Sequence, residues 1–499
     1  MPIPLLSSAQ AELLDQYTID EIGISGRQLM RNAGNETFKQ LKKEIKKTDK
    51  IIIVCGSGNN GGDGFVIADN FVKNGFRVDL YHTKAIENCS PDSVFYAEKL
   101  RKKGFKNFYL ISEATIRQIN DCDLLIDALL GTGFTGQLKP LYKHLLDHLN
   151  QLKCKRLAVD VPSGLDATTG SGSDAFNADI TITMGNAKCG FYVNDGPYKC
   201  GDIRVVDIGF PKKIDSIVGE TVRLNTAADI KILLPKRKID SHKTTFGKVA
   251  VIGGSLSMSG SVLLASIAAL KAGAGLVKTA VPAEIFSSVD GKQAELMVVP
   301  LENQSGVDEL IDWADVVVIG MGMGKSEFAK AVLGNVIKNC RKRMVIDADA
   351  INLLDTDLLE KLNGKEYVLT PHLGEFSRLN GKSIAEIKQD IYTCLREFSI
   401  RYRSAVLLKG KTTVIADGSG KIAIDTSGNS ALATAGTGDV LSGLIGGFAA
   451  QGLSCLDATM LATYLHGTAA EIGSIETTEY SFIASDIVRF LPDAIRTLI

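Results

Sequence analysis

Several things are scarce in this sequence. Trp313 is its sole tryptophan, and its nine cysteines include no Cys-x-x-Cys pair. An odd, scattered cysteine set supplies neither a disulfide framework nor a zinc site, so reduced thiols are expected. Lys plus Arg number 56 against 57 Asp plus Glu, which leaves no basic excess to hold nucleic acid, and none is expected as a partner. The longest apolar runs, such as 51–54 and 316–319, are strand-length, far short of the ~20 residues a bilayer span needs, so no membrane contact is expected. The opening residues lack the basic stretch and apolar core of a secretory signal, which predicts a cytoplasmic protein.

What is present is ordinary globular material: 499 residues, 45% hydrophobic and 23% charged, enough for two to four domains. Short β-rich runs recur, several ending in glycine before a helix-like stretch, the pattern of parallel strands joined by crossover helices. In the first half these runs are 51–54, 77–81, 124–128, 157–161, 180–184 and 203–208. In the second they are 249–252, 276–281, 316–319, 344–346, 368–370 and 406–408, followed by 413–416 and 421–425 as a hairpin around Asp417-Gly418-Ser419-Gly420. The polar stretch after Phe210-Pro211 marks a boundary. The expectation is two tandem three-layer α/β domains, residues 1–224 and 225–499; sequence order does not give the order of strands. Lysines 39, 42, 43, 46, 47 and 50, with Phe38, Leu41 and Ile45, fit the wet side of an amphipathic helix. His144 and His148 lie one helical turn apart, but no third zinc ligand is evident.

Three loops of the first half stand out. Strand 51–54 runs into Gly56-Ser57-Gly58-Asn59-Asn60-Gly61-Gly62-Asp63-Gly64, and such a loop brings backbone N–H groups to an anion at a helix N-terminus. The Gly-x-Gly-x-x-Gly spacing alone is weak; the Asn-Asn-Gly-Gly-Asp-Gly tail is far more particular. Gly131-Thr132-Gly133-Phe134-Thr135-Gly136 follows a strand ending Asp127-Ala128, and Asp160-Val161-Pro162-Ser163-Gly164-Leu165-Asp166 follows another. Loops leaving the carboxyl ends of parallel strands share one crevice. The bland reading, glycines making tight turns, stands beside this one. Asn60, Asp127 and Ser163 offer hard oxygen ligands suited to a hard cation rather than zinc.

These blocks, with Gly185-Asn186-Ala187-Lys188, resemble the signature blocks of NAD(P)H-hydrate epimerase over about residues 8–211. The resemblance implies a Rossmann-like sheet and potassium held by Asn60, Asp127 and Ser163. It further implies a hydrated nucleotide held by Asn59, Asn60, Gly61, Gly62, Asp63, by Gly131, Thr132, Gly133, Phe134, Thr135, Gly136, Gln137, and by Asp160. Inverting a hydroxyl-bearing carbon beside the ring nitrogen needs proton transfers, not electrons. Asp160 is the candidate acid or base and Lys188 its partner; the competing readings are a turn-pinning carboxylate and a solvated lysine.

Near the other end, Ala435-Gly436-Thr437-Gly438-Asp439-Val440 is a glycine turn opening an apolar helix. Its N–H groups suit a transferring phosphoryl group, and Asp439 is placed to take a hydroxyl proton. Lys409, Gly410, Lys411, Thr412 and Thr413 close a strand with two cations and two hydroxyls. Gly320-Met321-Gly322-Met323-Gly324-Lys325-Ser326 is not a Walker loop, because Ile319 stands where its first glycine belongs. His372 is either a site residue or a satisfied core histidine.

Together with Ser241-His242-Lys243, Asp347-Ala348-Asp349-Ala350 and Thr370-Pro371-His372-Leu373-Gly374-Glu375, these blocks resemble the ribokinase-like superfamily. More narrowly, they resemble ADP/ATP-dependent NAD(P)H-hydrate dehydratase, over about residues 226–495. One departure is Met321, where that family usually carries proline. The resemblance implies that Gly322, His372 and Asp439 contact the hydrated nucleotide, that Lys409 to Thr413 with Gly438 hold ADP, and that Mg²⁺ assists. The expected activity is repair of hydrated NADH and NADPH (NADHX and NADPHX): epimerisation of the R and S forms, then ADP- or ATP-dependent dehydration of S, by a homo-oligomer. The alternatives are a ribokinase-like small-molecule kinase with a regulatory front domain, and a nucleotide-binding scaffold.

Overall fold

The computed structural model describes residues 2–499. The chain divides into two compact units, Pro4–Val222 and Arg223–Ile499, with Ile3 grouping with the latter.

The first unit is built on seven parallel strands in the order Phe108–Leu110, Arg77–His82, Lys50–Cys55, Leu124–Ala128, Lys155–Val159, Ile180–Met184, Asp202–Val206. Alternation along Lys50–Cys55 divides its side chains between two cores: Ile51 and Ile53 join one apolar cluster, Ile52 and Val54 the other. Strand order reverses between Lys50–Cys55 and Leu124–Ala128, which lie in parallel register with Cys55 opposite Ala128. A crevice opens at the carboxyl ends of strands where such a reversal occurs, and the Gly56 and Gly131 loops leave from those two ends.

The second sheet has eleven strands, ordered Ile3–Leu5, Val222–Leu224, Ile422–Asp425, Thr413–Ala416, Ala405–Leu408, Tyr367–Leu369, Arg343–Ile346, Val316–Ile319, Lys248–Ile252, Leu276–Pro282, Met297–Leu301. Its central pairs are parallel; Ala405–Leu408 with Thr413–Ala416, and Thr413–Ala416 with Ile422–Asp425, are antiparallel. The helices Ser259–Lys271, Thr437–Ala450, Cys455–Glu476 and Ala484–Arg496 close one large core over it.

Some expectations need correction. The run 157–161 is the strand Lys155–Val159, because Asp160 turns to φ +64° and ends it. The lysine-rich helix stops at Leu41, so Lys42, Lys43, Lys46 and Lys47 lie beyond it, exposed as expected but not helical, and Lys50 begins the strand Lys50–Cys55. The short strands Phe108–Leu110 and Met297–Leu301 were not expected; the first is only three residues long, the second carries Pro300, and both are partly exposed at a sheet edge. No helix among the described residues is long and apolar enough to cross a membrane.

Candidate functional sites

In the first unit a cleft of about 780 Å³ opens at the strand-order reversal. Asn59, Asn60 and Asp63 line it from the first turn of the helix Asn59–Lys73. Gly131, Thr132, Gly133, Phe134, Thr135 and Gln137 line it from the second loop, and Asp160 and Lys188 from the third side. Gly61, Gly62 and Gly136 do not. A Cβ on Gly61 would lie 2.0 Å from the Gly56 carbonyl oxygen, and one on Gly62 would meet Met30 and Ser93. These two glycines serve close packing behind the loop; Gly136, at φ +79°, serves a turn.

Asp127 and Ser163 are fully buried beneath the cleft. Ser163 Oγ donates to Asp127 Oδ1 at 2.6 Å, the Ser163 N–H donates to Oδ2 at 2.8 Å, and the Leu130 N–H donates to Ser163 Oγ at 2.8 Å. Burial pushes the Asp127 carboxyl up to about 6 against the lowering effect of those bonds. Asn60 Nδ2 donates to Leu130 O at 2.9 Å, while its Oδ1 is buried without a hydrogen-bond partner. An orphaned amide oxygen and a buried carboxylate, joined through Leu130 and Ser163 and without a cationic partner among the described residues, are what a cation site lined by hard oxygens presents.

Asp160 and Lys188 form a buried ion pair, Lys188 Nζ to Asp160 Oδ1 at 2.6 Å. Lys188 is 2% exposed, which excludes the solvated-lysine reading. Its Nζ also donates to Thr183 Oγ1 at 2.7 Å and Asn186 O at 3.0 Å, so its three hydrogens are all engaged. Oδ1 of Asp160 accepts further bonds from Thr183 Oγ1 and the Met184 N–H. A non-glycine residue at positive φ, fixed by three donors, is the kind of strained position that clusters at functional sites.

Sequence reasoning missed Asp15. The helix Ser8–Asp20 places Ala11, Asp15 and Ile19 along the cleft at the four-residue spacing of a helix face. Asp15 remains open to the cleft mouth, yet the atoms crowding its carboxyl push it up to about 6, with the negative charge of Asp160 adding to the effect and Lys188 opposing it. Burial, then Asp160 and Asp15, hold the Asp63 carboxyl well above the usual range.

In the second unit the expected residues gather around Asp347, which sits fully buried after the strand Arg343–Ile346. Lys409 Nζ meets its Oδ1 at 2.8 Å and Ser442 Oγ donates to its Oδ2 at 2.7 Å. Burial alone would raise this carboxyl, but Lys409 and Ser442 outweigh it and hold it below its ordinary value. Gly438 lies so close that a Cβ there would be 3.4 Å from Lys409 Nζ. The helix Thr437–Ala450 starts with no side-chain cap, and its first backbone bond is Val440 N–H to Gly436 O, leaving the preceding N–H groups to face a ligand. Asp439 is pushed up to about 6 by burial, with Ser261 opposing and Asp347 adding to the rise. Ser261 also packs against Gly322, whose Cβ would fall 3.0 Å from that of Ser261.

Gly322, Asp439, Gly438 and Lys409 are thus brought together. His372 reaches them through the backbone: it pairs with Lys409 in a parallel bridge, and the Lys409 N–H donates to Pro371 O. It is no core histidine. Its side chain is 57% exposed, and Nδ1 caps the helix Leu373–Asn380 by accepting from the Gly374 and Glu375 N–H groups. Gly410 and Lys411 lie exposed on the hairpin turn that Thr412 completes, and Thr413 begins the next strand. Where proline was expected, Met321 is fully buried, and its carbonyl accepts from the Gly254 N–H at 2.9 Å.

Family models match both units: residues 26–190 match "YjeF-related protein N-terminus" and residues 249–492 match "NAD(P)H-hydrate dehydratase". The bifunctional NAD(P)H-hydrate repair enzyme of Moorella thermoacetica is 34% identical over 99% of this chain and 97% of its own length. That of Escherichia coli is 34% identical over 95% and 90%. Among solved structures, the ADP/ATP-dependent NAD(P)H-hydrate dehydratase from Bacillus subtilis, co-crystallized with ATP/Mg²⁺, matches 55% of this chain and 98% of its own. Its TM-score is 0.50 and its identity 27%. With full-length relatives at this identity and two sites of this make-up, the chain belongs to the family of bifunctional NAD(P)H-hydrate repair enzymes.

Proposed function

We propose that the unit within residues 1–224 interconverts R- and S-NAD(P)HX, and that the unit within 225–499 dehydrates the S form to NAD(P)H with ADP or ATP as co-substrate. The observation that carries this reading is one carboxylate in each unit, Asp160 lining the cleft at the strand-order reversal and Asp439 in the first turn of the uncapped helix Thr437–Ala450, close to Lys409 and Ser261.

In the first unit, Asn59, Asn60, Asp63, Gly131 to Thr135 and Gln137 hold the nucleotide, with Gly61, Gly62 and Gly136 shaping the loops. Asp160, oriented by Lys188, exchanges a proton with the ring hydroxyl. Asn60, Asp127 and Ser163 would hold K⁺, which supplies positive potential under the loop; the orphaned Asn60 Oδ1 supports this.

In the second unit Asp439 takes the proton of the ring hydroxyl, and the resulting oxygen accepts the terminal phosphoryl group of the nucleotide. Phosphate then departs with the carbon–oxygen bonding electrons, pushed by the ring nitrogen, and loss of a proton from the adjacent carbon restores the dihydropyridine. Hydroxide leaves poorly and phosphate well, which is why a nucleotide is consumed. The uncapped N–H groups at 437–439, with Lys409 and the 410–413 turn, receive the phosphates, and Gly322 and His372 flank the substrate. Mg²⁺ would accompany those phosphates and offset their charge. A cytoplasmic homo-oligomer acting on small molecules completes the reading.

Purified protein is given mixed NADHX epimers, Mg²⁺ and ADP, and the return of reduced-nicotinamide absorbance is followed. Complete recovery supports both activities. A stable phosphorylated product would instead point to a small-molecule kinase.

A further inference from the structure

Epimerisation by loss and re-addition of water is speeded by a proton given on one face and taken on the other. Lys188, the obvious second group beside Asp160, aims its hydrogens at protein oxygens rather than at a substrate. Its hydrogens are committed to Asp160, Thr183 and the Asn186 carbonyl, with the Met184 carbonyl a fourth oxygen within 3.3 Å. Another donor must line the cleft.

We propose that Asp15 is the second acid–base residue of the epimerase, facing the substrate ring from the helix Ser8–Asp20 while Asp160 faces it from the sheet. The inference rests on the epimerase reading above.

The placement of this helix is enforced locally. Leu6 bridges Lys188 in parallel, its N–H donating to Ala187 O and its O accepting from the Cys189 N–H, so the chain entering the helix is bonded directly beside the ion pair. Ser7 then caps the helix in a reciprocal box with Gln10, and the Ser8 N–H donates to Thr168 Oγ1 at 2.9 Å. Two turns on, Asp15 reaches the cleft without a hydrogen bond or ion pair among the described residues. Its electrostatic neighbours are Asp160, Lys188, Glu12 and Asp63, and Asp92 and Lys139 line the same cleft. A carboxyl titrating near 6 can lose and regain its proton at neutral pH. Asp63, whose carboxyl burial holds well above the usual range, lines the cleft from the helix Asn59–Lys73.

The step balances. Protonated Asp15 gives its proton to the ring hydroxyl, the carbon–oxygen bond breaks, and water leaves as the nitrogen lone pair forms a carbon–nitrogen double bond. Water adds to the opposite face, and Asp160 takes the proton it releases. Solvent at the open cleft mouth returns a proton to Asp15 and takes one from Asp160 before the next turnover, the reverse reaction exchanges the two roles, and no proton leaves the neighbouring carbon, so NADH does not form at this site.

The test uses the full chain with purified R-NADHX and no ADP, following appearance of the S epimer by chromatography in H₂¹⁸O across pH. Wild-type enzyme should incorporate ¹⁸O, with kcat falling above about pH 6. Asp15→Asn should lose about 10²-fold or more in kcat, with KM little changed and the alkaline limb gone from the residual rate. Asp15→Glu should recover part of the loss with a displaced limb. Dehydration of S-NADHX with ADP should survive in both variants, showing the second unit intact, and the partial recovery in Asp15→Glu shows that the first unit folds. An Asp15→Asn rate within about threefold of wild type, retention of its alkaline limb, or epimerisation without ¹⁸O would overturn the proposal. Wild-type protein that fails to epimerise at all would instead strike the underlying reading.

Discussion

Lys409 Nζ lies 2.8 Å from Asp347 Oδ1, an ion pair joining the ends of two strands that are not neighbours in the sheet, with Tyr367–Leu369 between them. It fixes the cation beside Gly438, at the start of the helix that carries Asp439. Asp347 is 1% exposed, so removing its partner leaves a buried charge.

Lys409→Met should therefore destabilise the second unit by about 3–5 kcal/mol, and the double variant Lys409→Met/Asp347→Leu by less. Denaturant unfolding followed by the fluorescence of Trp313, the sole tryptophan, measures both.

Asp439, pushed up to about 6, must be ionised to accept a proton. Dehydration kcat/KM should rise with pH through about 6 and level off above it. Asp439→Ala should cost about 10²–10⁴-fold with that limb lost. A pH–rate profile with S-NADHX and ADP decides it.

Asn60 Oδ1 is the unsatisfied oxygen of the proposed cation site. Epimerisation by wild-type enzyme should depend on K⁺ concentration and fall when K⁺ is replaced by Li⁺. Asn60→Ala should weaken the K⁺ response by about tenfold or more, read from the half-saturating concentration, while dehydration of the S epimer is unchanged.

His466 is buried and held down to about 4, its Nε2–H donating to the Thr437 carbonyl at 2.9 Å. The unfolded chain takes up a proton near 6.5 that the folded chain refuses until about 4. The stability this contributes is complete above about pH 6.5 and is lost as pH falls toward 4, by about 3 kcal/mol in all. Stability of His466→Gln should show a flatter pH dependence over that window in calorimetric scans.

Much of this was legible in the residues. Strand, glycine loop and helix start announce themselves together at 51–64, because parallel strands are apolar and the turns that follow need glycine, and the glycine turn at 436–438 announces the apolar helix Thr437–Ala450. The order of strands, and hence the reversal that opens the cleft, depends on long-range pairing. The packing demands on individual glycines were also hidden: a Cβ on Gly61 or Gly62 would meet the backbone and side chains packed behind them. Asp347 was visible in its motif, yet its hold on Lys409 spans 62 residues of sequence. Asp15 left no trace because the helix Ser8–Asp20 buries only Leu14 and Thr18, too little apolar pattern to show which face meets a wall.

The division of labour between Asp160 and Asp439 is tested most directly by mixing two variants, each disabled in one unit. With mixed NADHX epimers, Mg²⁺ and ADP, Asp160→Ala alone should recover only the S fraction once spontaneous epimerisation is subtracted. Asp439→Ala alone should recover nothing, and the two together should restore every equivalent of NADH. Recovery by Asp439→Ala alone, or equal loss of both epimers in Asp160→Ala, would contradict the assignment.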